Sequence, residues 1–432
     1  MTGEVEILGF DSDLTGYGFF NEKRLTFRYA SPGDLVVFET RGSGKRKYNK
    51  ILEHQKKETI DYGCKFFTQC GGCRARNIPY ETQFDLKTRV YKKKLFEISG
   101  DRIQFIPARK TENYRNRMDF AVFPEEIGLH QEGNFRRIID IDHCNLQKEI
   151  ANRELNALRP HLLPLAYHRK SEEGYLKYLT IRTSSSGELM SILTFTLPFR
   201  DTEMEKEFAE VILKHSLADH ILFCFNRIKS EVSAVGEFKV LKGNSFYTEE
   251  ILGNKIEIPF DSFAQPNPDG FLPILEFIGK KTSLLKKSIL FDLFSGSGFF
   301  SILFGSHFSA LYGMDSVPAS IQKANEILRE KFPDKKIDFR CIDLYQTKEL
   351  FLGDPKNSFL IMDPPRNGVG KSLLEILIQS EVQDILYVSC NPNSQLTDLE
   401  TLLPFYNVVD GVVTDPYPHT PHLESVLHLS KK

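Results

Sequence analysis

Short apolar runs alternate with helix-length amphipathic segments in the C-terminal part of the chain. The runs are rich in Ile, Leu, Val and Phe, as expected of strands that are buried on both faces. They are Ile289–Leu293, Ala310–Met314, Ile337–Ile342, Phe359–Met362 and Ile385–Val388. Strands alternating with helices predict a parallel, doubly wound sheet, so residues 256–432 are expected to form an α/β, Rossmann-like domain.

The first 56 residues show brief strand-like stretches separated by glycine and Pro-Gly turns. The expected strands are Val5–Phe10, Gly16–Phe20, Leu25–Tyr29, Leu35–Glu39 and a last strand near Ile51. This spacing predicts a small antiparallel β-barrel over residues 1–56, similar to an OB-fold. Barrels of this kind often hold oligonucleotides.

Residues 57–255 mix strand and helix patterns and predict a central α+β domain. The expected strands include Arg117–Phe123, Tyr178–Thr183 and Leu189–Phe195. A basic, helix-like stretch over residues 78–98 could pack on the C-terminal domain instead of the central one. The sequence therefore predicts three domains, with boundaries at 56/57 and 255/256.

Positive charge is concentrated in two segments, although the net charge of the 432-residue chain is −2. Seven Lys or Arg residues lie between 41 and 57, where residues 41–47 predict a basic hairpin tip. The second cluster is Lys87, Arg89, Lys92, Lys93 and Lys94. Such patches can follow nucleic-acid phosphates, but either one alone is more often a solvated surface.

Membrane insertion and export are not expected from this sequence. No apolar stretch approaches the roughly 18 residues of a membrane helix. The N-terminus carries Glu4 and Glu6 and lacks the pattern of a signal peptide. A cytoplasmic location is therefore expected, and the odd number of cysteines, seven, argues against a disulfide framework.

A glycine-rich turn follows the first apolar run of the C-terminal domain, in the segment Phe291–Gly298. Glycines at a strand-to-helix turn let a ligand approach the backbone closely. Asp315 ends the next strand and can accept hydrogen bonds from both ribose hydroxyls of a nucleoside cofactor, and Asp343 could meet the adenine. A dinucleotide site prefers glycine where Ser301 stands, so the set favours S-adenosylmethionine over nicotinamide.

The segment Met362-Asp363-Pro-Pro-Arg366-Asn-Gly368 predicts a rigid loop at the carboxyl edge of the sheet. Enzymes that methylate amino groups have an aromatic residue after the prolines, so Arg366 argues against an amino-group target. Two further segments bring a thiol and a carboxyl close to the same edge. They are Tyr387–Asn393, which contains Cys390, and Pro418–Glu424.

Cys390 lies among polar residues and is a candidate nucleophile, although a free cysteine is more often a small buried hydrophobe. Glu424 is a candidate general base, with a solvated loop carboxylate as the alternative. His419 and His422 are interpreted as positioning residues or RNA contacts, because their spacing is not that of a familiar metal site.

Three cysteines lie close together in Cys64-x5-Cys70-x2-Cys73, and Cys144 lies far downstream. Structural zinc sites are usually built from paired Cys-x2-Cys units, whereas three close ligands and a distant one are common for a cubane iron–sulfur cluster. The pattern therefore favours a 4Fe-4S cluster over zinc.

Together these motifs resemble the RNA uracil-C5 methyltransferase family, in particular its iron–sulfur-containing branch with an N-terminal TRAM domain. The resemblance covers nearly the whole chain. Further segments that carry it are Ile78–Lys87, Tyr114–Arg117, Gly128–Cys144 and Phe263–Asn267. Three positions depart from many members: Ser295 replaces cysteine, Phe299 replaces a polar residue and Asp315 replaces the longer glutamate.

The resemblance implies formation of 5-methyluridine in ribosomal or transfer RNA from S-adenosylmethionine, with a flipped uridine as the target. It implies that Cys390 is the nucleophile that attacks C6 of the uracil and that Glu424 is the base. It also implies which side chains bind the cofactor and which bind the cluster. The cofactor residues would be Gln265, Phe294, Asp315, Asp343 and Asp363, and the cluster ligands Cys64, Cys70, Cys73 and Cys144. No obligate protein partner is predicted.

Three other functions stay open at this point. Another nucleic-acid methyltransferase, directed at cytosine C5 or at an amino group, could share the cofactor fold. A non-catalytic RNA-binding protein could keep the shell of a methyltransferase, although Cys390 and Glu424 oppose this. A nicotinamide oxidoreductase with an iron–sulfur relay is disfavoured by Ser301.

Overall fold

A computed structural model of the chain describes residues 1–42, 47–57, 62–168, 171–199, 201–226, 232–262, 264–350 and 354–432. The predicted basic hairpin tip, with Lys45 and Arg46, and the side chain of Phe263 lie outside the described residues.

The strands of the N-terminal 260 residues are β1 (Thr2–Glu6), β2 (Gly9–Phe10), β3 (Gly16–Phe20), β4 (Lys23–Phe27), β5 (Leu35–Arg41), β6 (Tyr48–Gln55), β7 (Ile103–Ile106), β8 (Arg117–Phe123), β9 (Glu126–Gln131), β10 (Asn134–Asp140), β11 (Leu176–Thr183), β12 (Leu189–Phe195), β13 (His220–Phe225), β14 (Glu237–Lys242), β15 (Phe246–Ile251) and β16 (Asn254–Pro259). The later strands are β17 (Ile289–Leu293), β18 (Ala310–Asp315), β19 (Lys336–Cys341), β20 (Ser358–Met362), β21 (Asp384–Ser389), β22 (Tyr406–Thr414) and β23 (Glu424–Lys431).

The α-helices are α1 (Tyr80–Ser99), α2 (Glu149–Leu162), α3 (Thr202–His215), α4 (Pro268–Leu284), α5 (Phe299–Phe304), α6 (Pro318–Lys331), α7 (Lys371–Gln379) and α8 (Pro392–Leu402). In the described ranges, no helix has the length and apolar character that crossing a lipid bilayer requires.

The chain divides into two compact units, each assembled from separate segments. Unit 1 comprises Met1–Leu86, Lys110–Pro268 and Pro418–Pro421. Unit 2 comprises Lys87–Arg109, Asp269–Tyr417 and His422–Lys432. The three-domain division with boundaries at 56/57 and 255/256 stays a prediction.

The N-terminal strands of unit 1 form two antiparallel sheets, ordered β1-β5-β6 and β2-β3-β4. Gly16–Phe20 is a strand, as predicted, but the expected strand Val5–Phe10 is divided between the two sheets. The reason is that Ile7 donates its N–H to Asp34, whereas Leu8 donates to Tyr17 of the other sheet. Closure of these sheets into a barrel stays a prediction.

The central part of unit 1 is a sheet with the strand order β10-β9-β8-β11-β12-β13-β14. The predicted strands Arg117–Phe123 and Leu189–Phe195 are confirmed as β8 and β12. Every residue of β12 is buried, and α2 and α3 contribute Leu155, Leu158 and Ile212 to the same core. The strand and helix content agrees with the predicted α+β character of this region.

Unit 2 contains the sheet β19-β18-β17-β20-β21-β23-β22-β7. The strands from β19 to β21 are parallel, as predicted, and β23 is antiparallel to both of its neighbours. The strand order reverses between β17 and β20, which makes their carboxyl ends the expected position of a ligand.

One strand of this sheet comes from the range 57–255, which is predicted as the central domain. Ile103–Ile106 is β7, the edge strand of the sheet in unit 2. It belongs there because it pairs in parallel with β22, from Gly411 to Thr414. The preceding helical residues from Lys87 onward belong to unit 2 as well.

Candidate active site

The glycine-rich turn leaves β17 at the point where the strand order reverses. Three of its residues have positive φ angles: Phe294 at 60°, Gly296 at 51° and Gly298 at 83°. A Cβ atom on Gly296 would meet nothing within 4 Å, so open space lies beside the turn. Phe294 is a bulky residue in the left-handed region, and such strain is concentrated at functional positions.

Asp315 joins this turn to the end of β18. Its Oδ2 accepts the N–H of Gly296 at 2.9 Å, and its Oδ1 accepts the N–H of Val317 at 2.9 Å. Each carboxylate oxygen has a further lone pair, so both oxygens can still accept a hydrogen bond from a ribose hydroxyl. The predicted cofactor residue Asp315 is therefore fixed in position with capacity left for a ligand.

Buried Asp292 and half-buried Asp363 lie at the ends of β17 and β20. The pKa of Asp292 is raised to about 7, mainly by burial and also by the nearby carboxylates of Asp363 and Asp315, while hydrogen bonds from Ser301 oppose the shift. Burial also raises the pKa of Asp363 to about 7. Asp292 Oδ2 accepts the hydroxyl of Ser301 at 2.7 Å. Ser301 thus supports the buried carboxyl at the position where a dinucleotide motif would have glycine.

Asp343 lies two residues beyond the end of β19 and is exposed. Its carboxylate accepts the backbone N–H of Tyr345 at 3.0 Å and the amide of Gln346 at 2.6 Å. The ring of Tyr345 lies 5.8 Å from that of Phe294, centroid to centroid. Tyr345 was not predicted as a site residue, although its position two residues after the candidate cofactor residue Asp343 was a usable signal.

The strand register brings Cys390 and Glu424 to the same edge of the sheet. β21 and β23 are antiparallel, with Ser389 opposite Ser425. Since Cys390 follows Ser389 and Glu424 precedes Ser425, the two candidate catalytic residues lie at adjoining strand ends. Cys390 is half-buried, and Glu424 is 4% exposed. Glu424 is therefore no solvated loop carboxylate.

Burial and the neighbouring acidic groups oppose the ionisation of both Glu424 and Cys390. Burial raises the pKa of the Glu424 carboxyl well above its usual range, Asp363 adds to the shift and Arg366 counteracts it. Burial also raises the pKa of the Cys390 thiol, with Glu424 and Asp363 adding and Arg366 again counteracting. The shifts favour the uncharged forms of both groups. They also establish that Cys390, Glu424, Asp363 and Arg366 lie within electrostatic range of one another.

Arg366 is exposed, and its Nη2 lies 3.3 Å from Nε2 of His422. The carbonyl of Arg366 accepts the side-chain amide of Asn391 at 2.9 Å. The Asp-Pro-Pro-Arg loop is thereby tied to the residue that follows Cys390. Asn391 also caps α8 by accepting the N–H of Asn393 at 3.1 Å.

A buried hydrogen-bond network lies directly behind the two catalytic candidates. The hydroxyl of Tyr91 donates to Gln395 and lies 3.3 Å from the hydroxyl of Ser425. Ser425 donates to Gln395 Oε1 at 2.8 Å, and Gln395 donates its amide to the Tyr387 carbonyl at 2.9 Å. The sequence analysis missed this network, because Tyr91 is more than 300 residues away from Ser425.

A buried ion pair fixes the segment of the chain that precedes Glu424. Lys87 Nζ lies 2.6 Å from Asp415 Oδ1, and both side chains are 0% exposed. The same ammonium donates to the carbonyls of Tyr417 and His422, at 3.4 and 3.3 Å. Lys87 therefore fixes the residues on both sides of Pro418–Pro421. The sequence analysis treated Lys87 as part of a basic cluster and missed this contact.

Two of the predicted site residues lie in unit 1. His419 donates its N–H to the amide oxygen of Gln83 at 2.9 Å, and the Gln83 amide lies 3.1 Å from His419 Nδ1. This buried pair agrees with a positioning role for His419. Gln265 lies in the short segment before α4, in the part of the chain assigned to unit 1.

The four cysteines of the predicted cluster also lie in unit 1, and none of them forms a disulfide. Burial raises the pKa of Cys70 to about 11 and that of Cys73 to about 12, and Cys144 adds to both shifts. Cys64 adds to the shifts of Cys70 and Cys144. The four thiols are therefore near neighbours, which fits the donor set of a cluster. Across the described ranges, however, no three metal-ligating side chains are arranged to hold a single metal ion.

Comparison with known proteins gives matches over the length of the chain. The model of the tRNA (uracil-5-)-methyltransferase family matches residues 79–432. An uncharacterised RNA methyltransferase of Leptospira interrogans is 44% identical, with 100% of this chain and 98% of that protein covered. The tRNA (uracil(54)-C(5))-methyltransferase of Pyrococcus furiosus is 28% identical, with 99% and 98% covered.

Among solved structures, a match is found with Pyrococcus abyssi tRNA (uracil-54, C5)-methyltransferase in complex with S-adenosyl-L-homocysteine. The TM-score is 0.76 and the identity 24%, and the match covers 99% of this chain and 100% of that chain. This similarity shows the mixed α/β fold.

The electrostatics of the site predict a pH profile for Cys390. In the ligand-free protein, alkylation by iodoacetamide should be slow near neutral pH and increase at a higher pH than for an ordinary thiol, since the thiolate is the reactive form. Glu424→Gln should shift the profile to lower pH because it removes a carboxylate that raises the thiol pKa. Mass spectrometry of the labelled peptides measures both profiles, with the exposed Cys341 as internal control. A Cys390 profile that Glu424→Gln leaves in place would contradict the prediction.

Proposed function

The chain belongs to the tRNA (uracil-5-)-methyltransferase family and is thereby an S-adenosylmethionine-dependent RNA uracil-C5 methyltransferase; we propose that it acts through a covalent adduct between Cys390 and its target uridine. The observation that supports this most directly is the position of Cys390 and Glu424 at adjoining ends of β21 and β23. A thiol and a carboxyl side by side are the two groups that the reaction needs.

The proposed reaction starts with transfer of the Cys390 thiol proton to water, and Arg366 favours the thiolate by lowering the thiol pKa. The sulfur forms a bond to C6 of the uridine, and the electron pair of the C5–C6 double bond becomes part of an enolate. C5 would then form a bond to the methyl carbon of the bound donor while the bond between that carbon and the sulfonium sulfur breaks, with S-adenosylhomocysteine as the leaving group. Glu424 removes the C5 proton, the double bond forms again and the Cys390 sulfur leaves.

S-adenosylmethionine, when bound, supplies the methyl group on a positively charged sulfonium. Phe294, Asp315, Asp343 and Asp363 are the proposed residues of unit 2 that hold it. The open space beside Gly296 and the remaining lone pairs of Asp315 support this assignment. The raised pKa of Asp363 also fits, because a cation beside that carboxyl would stabilise its charged form. Gln265 is proposed as a further cofactor residue from the resemblance alone.

The proposed substrate is a structured RNA whose target uridine leaves its stack to reach Cys390. Transfer RNA is the first substrate to test, because the matching family and the Pyrococcus furiosus relative are both described as tRNA methyltransferases. Ribosomal RNA is the second, since the sequence does not distinguish the two.

The function is tested by incubating the protein with isotope-labelled S-adenosylmethionine and unmodified tRNA or rRNA. We expect labelled 5-methyluridine in the RNA digest, identified by mass spectrometry. Cys390→Ala should reduce the rate by at least about 10³-fold, because the covalent route is lost. Cys341→Ala, which changes an exposed cysteine of unit 2, should leave the rate unchanged. A methylated adenosine or cytidine as product would overturn the proposed roles of Cys390 and Glu424.

The proposed base, Glu424, and the proposed nucleophile, Cys390, should give different results when they are substituted. Glu424→Gln should still form the Cys390–C6 bond and accept the methyl group, but it should release the RNA slowly, because the C5 proton is not removed. The rate of turnover should fall roughly 10²- to 10⁴-fold. A protein–RNA adduct that resists denaturing gel electrophoresis should therefore accumulate, and Glu424→Gln combined with Cys390→Ala should abolish it. Full turnover by Glu424→Gln would exclude Glu424 as the base.

We also propose that Cys64, Cys70, Cys73 and Cys144 hold a 4Fe-4S cluster in unit 1. Burial and neighbouring cysteines raise the pKa values of the Cys70, Cys73 and Cys144 thiols, and bound iron would stabilise such groups as thiolates. Cys73 is also within range of the Arg76 guanidinium, which lowers its thiol pKa. The methyl group does not come from the cluster, so its proposed role is structural or in RNA recognition.

Anaerobic purification should yield protein with iron and acid-labile sulfide in equal amounts and with broad visible absorbance. Cys70→Ser should lose most of both elements, whereas Cys341→Ser should retain them. Binding of one zinc ion instead, with no labile sulfide, would replace the cluster by a zinc site. Full iron and sulfide content in Cys70→Ser would exclude Cys70 as a ligand.

A further inference from the structure

The stretch between the first and second segments of unit 1 carries an excess of positive charge. Residues Lys87–Arg109 lie in unit 2 and contain seven basic and two acidic residues, in a chain whose net charge is −2. Six of the basic side chains are exposed; they are Arg89, Lys92, Lys93, Lys94, Arg102 and Arg109.

Three of the exposed basic residues of α1 lie on one side of the helix. Arg89, Lys92 and Lys93 follow the spacing i, i+3 and i+4, which places them on one face, and Phe96 continues this face with 57% exposure. The exposed acid Asp85 lies one helical turn before Arg89 on this face, and with three basic residues the face keeps a net positive charge. Lys94 lies 3.6 Å from Glu97, but exposed ion pairs of this kind contribute little.

The opposite face of α1 is buried and belongs to the support of the active site. Lys87 fixes the residues on both sides of Pro418–Pro421, and Tyr91 contacts Gln395 and Ser425. Because a helix is about 10 Å across, the basic face lies roughly one helix diameter from Ser425, on the side of α1 that is turned away from it. A polyanion bound on this face would therefore contact the unit that carries Cys390 and Glu424 at a distance from the reacting base.

We propose that the exposed face of α1 formed by Arg89, Lys92, Lys93 and Phe96 binds the phosphate backbone of the substrate RNA, at a distance from the flipped uridine. This inference rests on the proposed function in that RNA is the substrate. The lysines and the arginine contact phosphates, and Phe96 offers an exposed ring on which an unpaired base can stack. The face lies outside the pocket of the reacting base, so it acts on RNA affinity and not on the chemical steps.

The test compares two triple variants that remove the same charge. Arg89→Gln/Lys92→Gln/Lys93→Gln changes the proposed surface and keeps good helix formers. The control, Lys280→Gln/Lys323→Gln/Arg329→Gln, changes exposed residues of α4 and α6 in the same unit. Binding of unmodified tRNA is measured by fluorescence anisotropy over a range of KCl concentrations, together with S-adenosylhomocysteine binding and the melting temperature.

The α1 variant should bind RNA at least about tenfold more weakly, and its slope of log K against log[KCl] should be smaller by about 2. The control should match the wild type in both. At saturating RNA the kcat of the α1 variant should equal that of the wild type, with KM raised. A charge-conserving variant, Arg89→Lys/Lys92→Arg/Lys93→Arg, should restore both affinity and slope.

Equal slopes for the α1 variant and the control would overturn the proposal, as would a loss of kcat with unchanged RNA affinity. Failure of the proposed function gives a different result. In that case the wild type would bind RNA without forming 5-methyluridine, and the comparison of salt slopes would still decide whether α1 contacts the backbone.

Discussion

The antiparallel pairing of β23 with β21 is the constraint on which the active site depends. It places Ser389 opposite Ser425, and therefore Cys390 beside Glu424. A shift of one residue in this register would turn every side chain of β23 to the other face of the sheet. Ser425 resists such a shift, because its hydroxyl is bound within the buried network of Gln395 and Tyr91. The hydrogen bonds behind the site thus set the geometry in front of it.

This geometry places acidic groups together at buried or half-buried positions. Asp292, Asp363 and Glu424 all have raised pKa values, with burial as the largest cause, and Arg366 is the cation that counteracts the shift of Glu424. Such a site favours protonated groups until positive charge enters it. The proposed cofactor carries its charge on the sulfonium, so its binding would favour the ionised form of Cys390 in the proposed reaction.

Much of the fold could be predicted from local patterns. The strands 117–123, 189–195 and 289–293 have the predicted bounds, because their apolar runs are bounded by clear turn residues. The proposed roles of Cys390 and Glu424 needed the family resemblance, since each alone is compatible with a purely structural residue. Sequence patterns could not predict the contacts of Lys87 and Tyr91 or the pairing of β7 with β22. Each of these contacts joins residues some 300 positions apart and leaves no local signal.

Helix α1 shows why a composition-based interpretation of its charges is incomplete. Lys87 belongs to the same basic cluster as Arg89 and Lys92, yet it is fully buried against Asp415 while the other two are exposed. A buried ion pair is costly to break on one side, since the remaining charge is left without a partner. Neutralising Lys87 would therefore disturb the chain that leads to Glu424, whereas the exposed residues can change without affecting the core. One cluster in the sequence thus contains a buried lysine that fixes the chain and exposed residues that face solvent, and the helical period separates them.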